Sequence, residues 1–168
     1  MEIESVVGRW ALVGSTSING EIAFVGDEPD PNGVSNWLNG HAEDLEESIE
    51  QTSGLELEIS QDGRFTERQV GRPKVYWFDV EGVLSNEVAP FNGALTFNDK
   101  LFYLQPDIPN WSVHAQNRCG EAILRYDDGD TKICDSLRLR GDRLLRTVNV
   151  VTDELYTDRV LIAYEKRS

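Results

Sequence analysis

The chain has 168 residues and a mass of 19.0 kDa, a size that suits one domain with its own hydrophobic core. Thirty acidic residues outnumber sixteen basic ones and give a formal charge of −14, so we expect neither nucleic acid nor an anionic membrane surface as a partner. No stretch approaches the roughly 20 consecutive apolar residues that a membrane-spanning helix needs.

The N-terminus and the cysteines favour a cytoplasmic protein. The sequence opens with Met-Glu-Ile-Glu-Ser, which is acidic where a secretory signal is basic and then apolar, so we expect no targeting segment. Two cysteines in such a chain are typical of reduced thiols rather than of a disulfide framework. We therefore expect small molecules or basic proteins as partners, in the cytoplasm.

Charge is distributed unevenly along the chain. No Lys or Arg occurs between Trp10 and Gly63, where twelve Asp and Glu residues lie. Basic residues cluster later, in one stretch that contains Arg138, Arg140, Arg143 and Arg146. Because no low-complexity linker or internal repeat separates the halves, we interpret them as two faces of a single domain over residues 1–168.

The N-terminal part predicts one strand followed by a helical insertion. The strand begins at Trp10 after Gly8, and residues 18–31 are rich in Gly, Pro, Asn and Asp, as loops are. Asn32 or Ser35 can cap a helical lid over about residues 33–52, and Gly40 leaves open one helix or two short ones. Its apolar residues recur at helical spacing: Val34, Leu38, Ala42, Leu45 and Ile49.

From residue 55 onward the pattern is typical of antiparallel hairpins. Residues 55–59 alternate apolar and acidic side chains, and Asp62-Gly63 suits a tight turn. Further strands are predicted at 74–82, 91–97, 100–104, 111–116, 119–126, 131–140, 143–151 and 155–165. About ten short strands with one helical interruption predict an all-β, antiparallel up-and-down β-barrel with a helical lid between the first two strands, since closure removes exposed sheet edges.

Several segments, in order, follow a known pattern. Gly8-Arg9-Trp10 provides a Gly-x-Trp opening strand, and the stretch 55–66 is similar to the strand that follows a helical lid. Residues 126–131, 137–145 and 163–166 are similar to the last three hairpins of the same proteins. Together they resemble the calycin superfamily, that is, the lipocalins and the intracellular fatty-acid-binding proteins. The resemblance implies a barrel that holds a lipid-, retinoid- or pigment-like molecule in its cavity.

The closing strand departs from that family at one position. The family typically ends with Arg-x-Tyr, whose Arg and Tyr hold a fatty-acid carboxylate. The corresponding residues here are Ile162 and Tyr164, so half of that anchor is missing. The resemblance implies that Tyr164 points inward. From the residues alone, a three-residue last turn would do the same, whereas a two-residue turn would put Thr157, Arg159 and Leu161 inside.

The preceding hairpins can be placed in register from their turns. A two-residue turn at Gly141-Asp142 pairs Leu137 with Arg146 and Asp135 with Val148, and one at Asp128-Gly129 pairs strand 119–126 with strand 131–140. Both registers give one shared inner face: Ala122, Leu124, Tyr126, Ile133, Asp135, Leu137, Leu139, Leu144, Arg146, Val148 and Val150. The opposite face, which includes Arg138 and Asn149, is predicted to be solvated.

Arg146 thus lies inside the barrel beside Asp135. Either the two form a satisfied buried ion pair, or Arg146 receives a carboxylate or carbonyl of a ligand. The lid offers an aromatic side chain that could guard an entrance. The candidate ligand-binding residues are Arg146, Tyr164, Tyr126, Asp135, Leu124, Val148 and Trp37.

No pattern predicts a metal, a cofactor or a catalytic centre. His41 and His114 have no cysteine cluster near them, and no phosphate-cradling or dinucleotide-binding motif occurs. The predicted register has Cys134 facing Ile123 and puts Cys119 roughly 13 Å away at about 3.3 Å per residue, too far for a disulfide.

Three functions fit these observations. A barrel that binds a hydrophobic small molecule agrees with the apolar inner face and with the absence of a catalytic constellation. A calycin-fold enzyme acting on a bound hydrophobic substrate would carry an inward Asp135, Arg146 or Tyr164 with a perturbed pKa. A filled barrel serving as an interaction module would have a packed interior. The sequence leaves the oligomeric state open.

Overall fold

The computed structural model describes residues 2–41, 43–70, 75–78, 84–85, 91–98, 101–107, 112–118, 121–127 and 131–168, with the backbone alone for 69, 75–78, 84–85, 91, 112–118 and 121–127. The strands are β1 Gly8–Glu21, β2 Phe24–Val25, β3 Glu28–Pro29, β4 Glu50–Gln51, β5 Leu55–Ile59, β6 Arg64–Gln69, β7 Val75–Phe78, β8 Leu84–Ser85, β9 Phe91–Asn98, β10 Leu101–Pro106, β11 Ser112–Arg118, β12 Glu121–Asp127, β13 Thr131–Arg140, β14 Arg143–Thr152 and β15 Tyr156–Lys166. The helix α1 spans Pro31–Leu38, and 3₁₀ helices span Ile3–Ser5 and Glu43–Ser48. None of the helices in this part of the chain has the length and apolar character needed to cross a membrane.

Eight strands close into a barrel. Their order is β1-β5-β6-β9-β10-β13-β14-β15, and β15 pairs back with β1, so the ring has no free edge. All eight pairings are antiparallel. The predicted fold class, an all-β antiparallel up-and-down barrel with a helical segment after the first strand, is therefore confirmed. Of the other strands, the short β4 pairs with β1 beside β5.

A second sheet contains the four strands that lie in the chain between β6 and β9 and between β10 and β13. Its order is β11-β12-β7-β8, with β12 antiparallel to β11 and parallel to β7. The predicted pairing of strand 119–126 with strand 131–140 is therefore wrong. Strand β13 pairs instead with β10 on one side, through Phe102 and Leu137, and with β14 on the other. The predicted turn at Asp128-Gly129 lies outside the described residues.

The C-terminal register is otherwise as predicted. The turn at Gly141-Asp142 pairs Leu137 with Arg146, and Gly141 takes the positive φ of 64° that such a turn requires. In the last hairpin, Thr152 pairs with Tyr156 across a three-residue turn, which selects the alternative with Tyr164 inside. Cys134 is a free thiol opposite Asn149, not opposite Ile123, and Cys119 lies outside the described residues.

Large side chains fill the end of the barrel where β1 begins. Trp10 is 2% exposed, and its indole N–H donates to the carbonyl of Val6 at 2.8 Å, so it closes this end. Phe65 and Phe102 pack in the same core cluster and are also buried. The interior at this end of the barrel is therefore packed with these side chains.

The helical segment lies on the outside of the barrel wall. It forms two short helices, the second of the predicted alternatives, and Asp30 caps α1 by accepting from the N–H of Asn32, where Asn32 or Ser35 was expected. Val34 packs with Ile22 and Val151 on the outer face of β14. The outer face of β14 is thus covered where α1 packs, and the prediction that the opposite face is solvated is wrong at Asn149, which is 2% exposed. It is correct for Lys132, Arg140 and Arg143, which are exposed.

Opposite charges join the helical segment to the strands. Glu46 of the second 3₁₀ helix contacts Arg138 at 2.5 Å and Arg140 at 3.1 Å, and Arg138 also lies 3.8 Å from Glu43. The acidic part of the chain therefore lies against the basic strand β13. The uneven charge of the sequence is partly neutralised within the domain.

Candidate functional site

Four ionisable side chains meet inside the barrel, and we call them the interior polar cluster: Arg146, Asp135, Glu67 and Tyr164. The Arg146 guanidinium binds Asp135 with two parallel hydrogen bonds, from Nε to Oδ1 at 2.8 Å and from Nη2 to Oδ2 at 2.7 Å. Its Nη1 donates to Glu67 Oε2 at 2.8 Å and to the Tyr164 hydroxyl at 3.4 Å. The side chains of Arg146 and Glu67 are fully buried.

Four different strands supply these residues. Glu67 of β6 pairs with Leu57, Asp135 of β13 with Val148, and Tyr164 of β15 with Leu144. Residues paired across strands share a face of the sheet, so each polar side chain points inward with its apolar partner. The two C-terminal hairpins bring Asp135, Arg146 and Tyr164 together, and closure of the barrel adds Glu67, which is distant in sequence.

Burial and the neighbouring charges shift the pKa values of Arg146 and Tyr164. Burial alone would lower the pKa of Arg146, but the charges of Asp135 and Glu67 outweigh it and raise that pKa. Burial, reinforced by the charge of Glu67, raises the pKa of Tyr164 well above its usual value. At neutral pH the guanidinium is therefore a cation and the phenol is neutral.

Glu67 has one oxygen that is not satisfied. Its Oε1 is buried and forms no hydrogen bond with any residue that the structure describes, whereas Oε2 is held by Arg146. A buried acceptor without a partner costs about 1–3 kcal/mol, and more when it is charged. Such groups are rare in native proteins, and each calls for an explanation such as local strain, a functional role or a bound water or ion.

The cluster separates two different parts of the interior. On the side of Trp10, aromatic side chains fill the core. On the other side the described inner residues are mainly aliphatic, and all are buried: Leu55, Leu104, Val148, Val150 and Val160. The cluster thus borders a wall of smaller apolar side chains near the β14–β15 turn.

The structure places three of the seven predicted site residues in this cluster and a fourth, Val148, on the wall beside it. The ion pair of Arg146 and Asp135 is confirmed, Tyr164 lies inside, and Val148 lies on the inner wall. Leu124 and Tyr126 belong to β12, whose side chains are outside the described residues. Arg146 donates three hydrogen bonds to the protein's own carboxylates and one to the Tyr164 hydroxyl, which matches the ion-pair alternative.

Sequence reasoning missed Glu67. The signal was present, because Phe65 lies opposite Ile59 and strict alternation puts Glu67 on the same inner face. A single glutamate in a strand that also carries Arg64, Thr66 and Arg68 is usually solvent-facing, so the pattern was not distinctive.

The position of Arg146 bears on the closing strand. Arg146 pairs across β14 and β15 with Ile162, the position where an Arg-x-Tyr ending would carry its arginine. The guanidinium therefore comes from the neighbouring strand and reaches the Tyr164 hydroxyl from there. An arginine and a tyrosine still meet inside the barrel, but the arginine is already bonded to carboxylates.

Trp37 lies outside the wall, away from the interior. Its indole N–H donates to the carbonyl of Asp158 at 3.1 Å, and the guanidinium of Arg159 stacks 4.0 Å from its ring. Arg159 also donates to the carbonyl of Trp37 at 2.8 Å and to the Asn149 side chain at 2.6 Å. These contacts give Trp37 a role in fixing α1 to the wall, whereas an entrance role was predicted.

Asn149 completes this attachment, and its removal should loosen α1. Its amide nitrogen donates to the carbonyls of Leu38 at 3.1 Å and Gly40 at 3.0 Å, next to the C-terminus of the helix. Because an eight-residue helix is not stable alone, Asn149→Ala should cost about 1–3 kcal/mol of unfolding free energy and speed amide exchange over residues 31–40. The matched control is Asn39→Ala, whose exposed side chain bonds only Ser35 among the described contacts. Unchanged exchange in α1 of Asn149→Ala would contradict this attachment.

Tyr164 predicts a pH effect. Its pKa is raised in the folded protein, so above about pH 10, the ordinary value for tyrosine, the unfolded chain loses this proton while the folded chain keeps it. The contribution of Tyr164 to the free energy of unfolding is therefore fully present below that pH. It is lost as the pH rises, by up to about 1.4 kcal/mol per pH unit. Urea unfolding between about pH 9 and about pH 11 should show a shallower loss for Tyr164→Phe.

The control for this prediction is Tyr156→Phe, which alters a tyrosine that is 51% exposed at the start of the same strand. That variant should follow the wild-type pH curve. If the free energy of unfolding depends on pH in the same way for the wild type and for Tyr164→Phe, the pKa of Tyr164 does not differ between the folded and unfolded states.

A groove at the closed end of the barrel has a different character. It has a volume of about 270 Å³ and is lined by Ile3, Gln61, Asp62, Gly63, Leu95, Phe97 and Phe102. The Asp62 carboxylate accepts hydrogen bonds from Ser60 and from the N–H of Arg64, which lower its pKa. The Asp62 carboxylate is thus engaged in the hairpin turn. Unlike the barrel interior, the groove has no buried cluster of polar side chains among its lining residues.

Comparison with known proteins gives little. No family model matches the chain, and no curated protein is similar to it. The chain is similar to the crystal structure of a protein of unknown function of the DUF3598 family from Nostoc punctiforme PCC 73102, with 12% identity and a TM-score of 0.41. The match covers 99% of this chain and 49% of that protein, so the chain spans about half its length.

Proposed function

We propose that this protein binds an apolar small molecule inside its barrel, with the interior polar cluster at the polar end of the site. The observation that carries the proposal is a buried group of four ionisable side chains next to an aliphatic wall. Small-molecule sites generally combine an apolar wall with a few placed polar groups. The interior of an eight-stranded barrel is either filled by side chains or wide enough to hold one small ligand.

The proposal includes a calycin-like barrel of the lipocalin or fatty-acid-binding type. The helical segment between the first two ring strands, the up-and-down order and the tryptophan at the closed end support it. The free thiol of Cys134 agrees with a reducing compartment, as the cytoplasm is.

Binding fits the cluster better than catalysis does. General acid–base catalysis needs a group whose pKa lies near the working pH. The pKa values of Arg146 and Tyr164 are instead raised further from neutrality. Such groups orient a ligand without exchanging protons with it.

A second candidate is a filled barrel that acts through its surface. The hairpin β2–β3 favours it, because two consecutive apolar residues there are exposed to solvent and could contact a partner: Phe24 is 53% exposed and Val25 is 67% exposed. The two candidates differ in whether the interior accepts a molecule.

Titration with a neutral apolar fluorescent probe, N-phenyl-1-naphthylamine, separates them. The wild type should bind one equivalent with a blue-shifted emission, and Val148→Phe, which fills the inner wall beside Asp135, should abolish binding. Val25→Phe, the same change on the exposed hairpin, should leave binding intact. Circular dichroism verifies folding, and Val148→Leu replaces Val148→Phe if the larger side chain prevents it. Absence of saturable probe binding by the wild type would support the filled barrel and overturn the proposal.

A further inference from the structure

We infer that the ligand presents a protonated amine to the interior polar cluster, where it donates a hydrogen bond to Glu67 Oε1. The inference rests on the proposed function, because it identifies the polar end of the same ligand. It names alkylamine-like molecules, with an apolar body and a single ammonium group, as the ligand class.

The charges of the cluster support a cation. One guanidinium, Arg146, faces two carboxylates, Asp135 and Glu67, so with their ordinary charges the cluster carries one negative charge in excess. A buried charge is costly unless it is paired. A ligand ammonium would neutralise that excess, whereas a ligand carboxylate would double it.

The hydrogen bonds support a donor at one defined atom. Asp135 has both oxygens on Arg146, and Glu67 Oε2 is also taken, which leaves Glu67 Oε1 as the acceptor without a described partner. An ammonium group has only donors, so it suits this oxygen. Hydrogen bonds between charged groups are about twice as strong as those between neutral ones.

Tyr164 leaves the charge of the cluster unchanged. Its phenol stays neutral and its oxygen accepts a hydrogen bond from Arg146 at 3.4 Å. The arginine that would hold a carboxylate is bonded within the protein. The cluster is therefore the reverse of an anion site, although it contains an arginine and a tyrosine.

The test compares three ligands with one chain length: decylamine, decanol and decanoate, each displacing N-phenyl-1-naphthylamine. Decylamine should bind most tightly and decanoate at least about tenfold more weakly, since tenfold corresponds to about 1.4 kcal/mol and a charged hydrogen bond exceeds that. Glu67→Gln, which keeps the shape and removes the charge, should weaken decylamine by about tenfold or more and leave decanol nearly unchanged.

The matched control is Glu58→Gln on β5, an exposed glutamate that pairs with Arg68 on the outer face. It should leave the affinities for all three ligands as in the wild type. Equal affinity for decanoate and decylamine, or an unchanged decylamine affinity in Glu67→Gln, would overturn the amine inference while the probe still binds. If neither the probe nor any of the three ligands binds the wild type, the proposed function itself fails.

Discussion

Arg146→Met should lower the free energy of unfolding by about 3–5 kcal/mol, the cost of leaving buried carboxylates without their cation. Asp135 and Glu67 both depend on this guanidinium, at 2.7 Å and 2.8 Å, and Arg146 and Glu67 have no exposed surface. Methionine has a similar volume, so the loss reflects charge more than an empty space. Urea unfolding at neutral pH measures the effect.

Arg143→Met is the matched control, because it removes an arginine of the same strand that is 47% exposed and pairs with Glu165 at 3.5 Å. It should cost at most about 1 kcal/mol. Adding Asp135→Asn and Glu67→Gln to Arg146→Met should recover part of the loss, since the buried charges disappear together. A loss for Arg146→Met as small as that of Arg143→Met would contradict the interior ion cluster.

Gly93→Ala should destabilise the barrel by about 3 kcal/mol, at the upper end of the usual cost of overpacking. A Cβ on Gly93 would lie 2.1 Å from the carbonyl oxygen of Gln105 and 2.6 Å from the ring of Phe65. The first contact is with the backbone of the neighbouring strand β10, which cannot swing aside as a side chain can. Glycine is therefore required for Phe65 to lie over β9.

Gly20→Ala is the control, since it adds the same methyl group to another barrel strand. Its Cβ would lie 3.3 Å from the Thr157 hydroxyl, and the change in unfolding free energy should stay within about 1 kcal/mol. Thermal unfolding of the two variants gives the comparison. Equal stability of Gly93→Ala and the wild type would contradict the close approach of β9 and β10.

The register of β13 against β14 could be predicted because local chemistry determines it, whereas the residues alone left the register of β15 open between a two-residue and a three-residue turn. Gly141-Asp142 allows a two-residue turn, and alternation then places Arg146, Asp135 and Val148 on one face. The same reasoning failed for β12, because a turn signal says nothing about which strand takes the free edge of β13. In the structure that edge belongs to β10, more than twenty residues earlier in the chain.

The position of the helical segment and the role of Glu67 could not be predicted from the sequence either. Helical spacing of apolar residues predicts that one face is buried, but not that it packs on the outside of β14, as Val34 and Val151 do. Glu67 could not be singled out for a similar reason: only ring closure brings β6 to face β14 and β15. Contacts between distant strands decided what the sequence left open.

The most direct test of ligand binding is native mass spectrometry of the protein purified from its own source, followed by denaturing analysis of any molecule released. We predict a stoichiometric adduct of an apolar amine that dissociates on unfolding and is absent from Val148→Phe expressed in the same cells. A bare chain in the native spectrum, together with no binding of the neutral probe, would contradict a ligand-binding barrel.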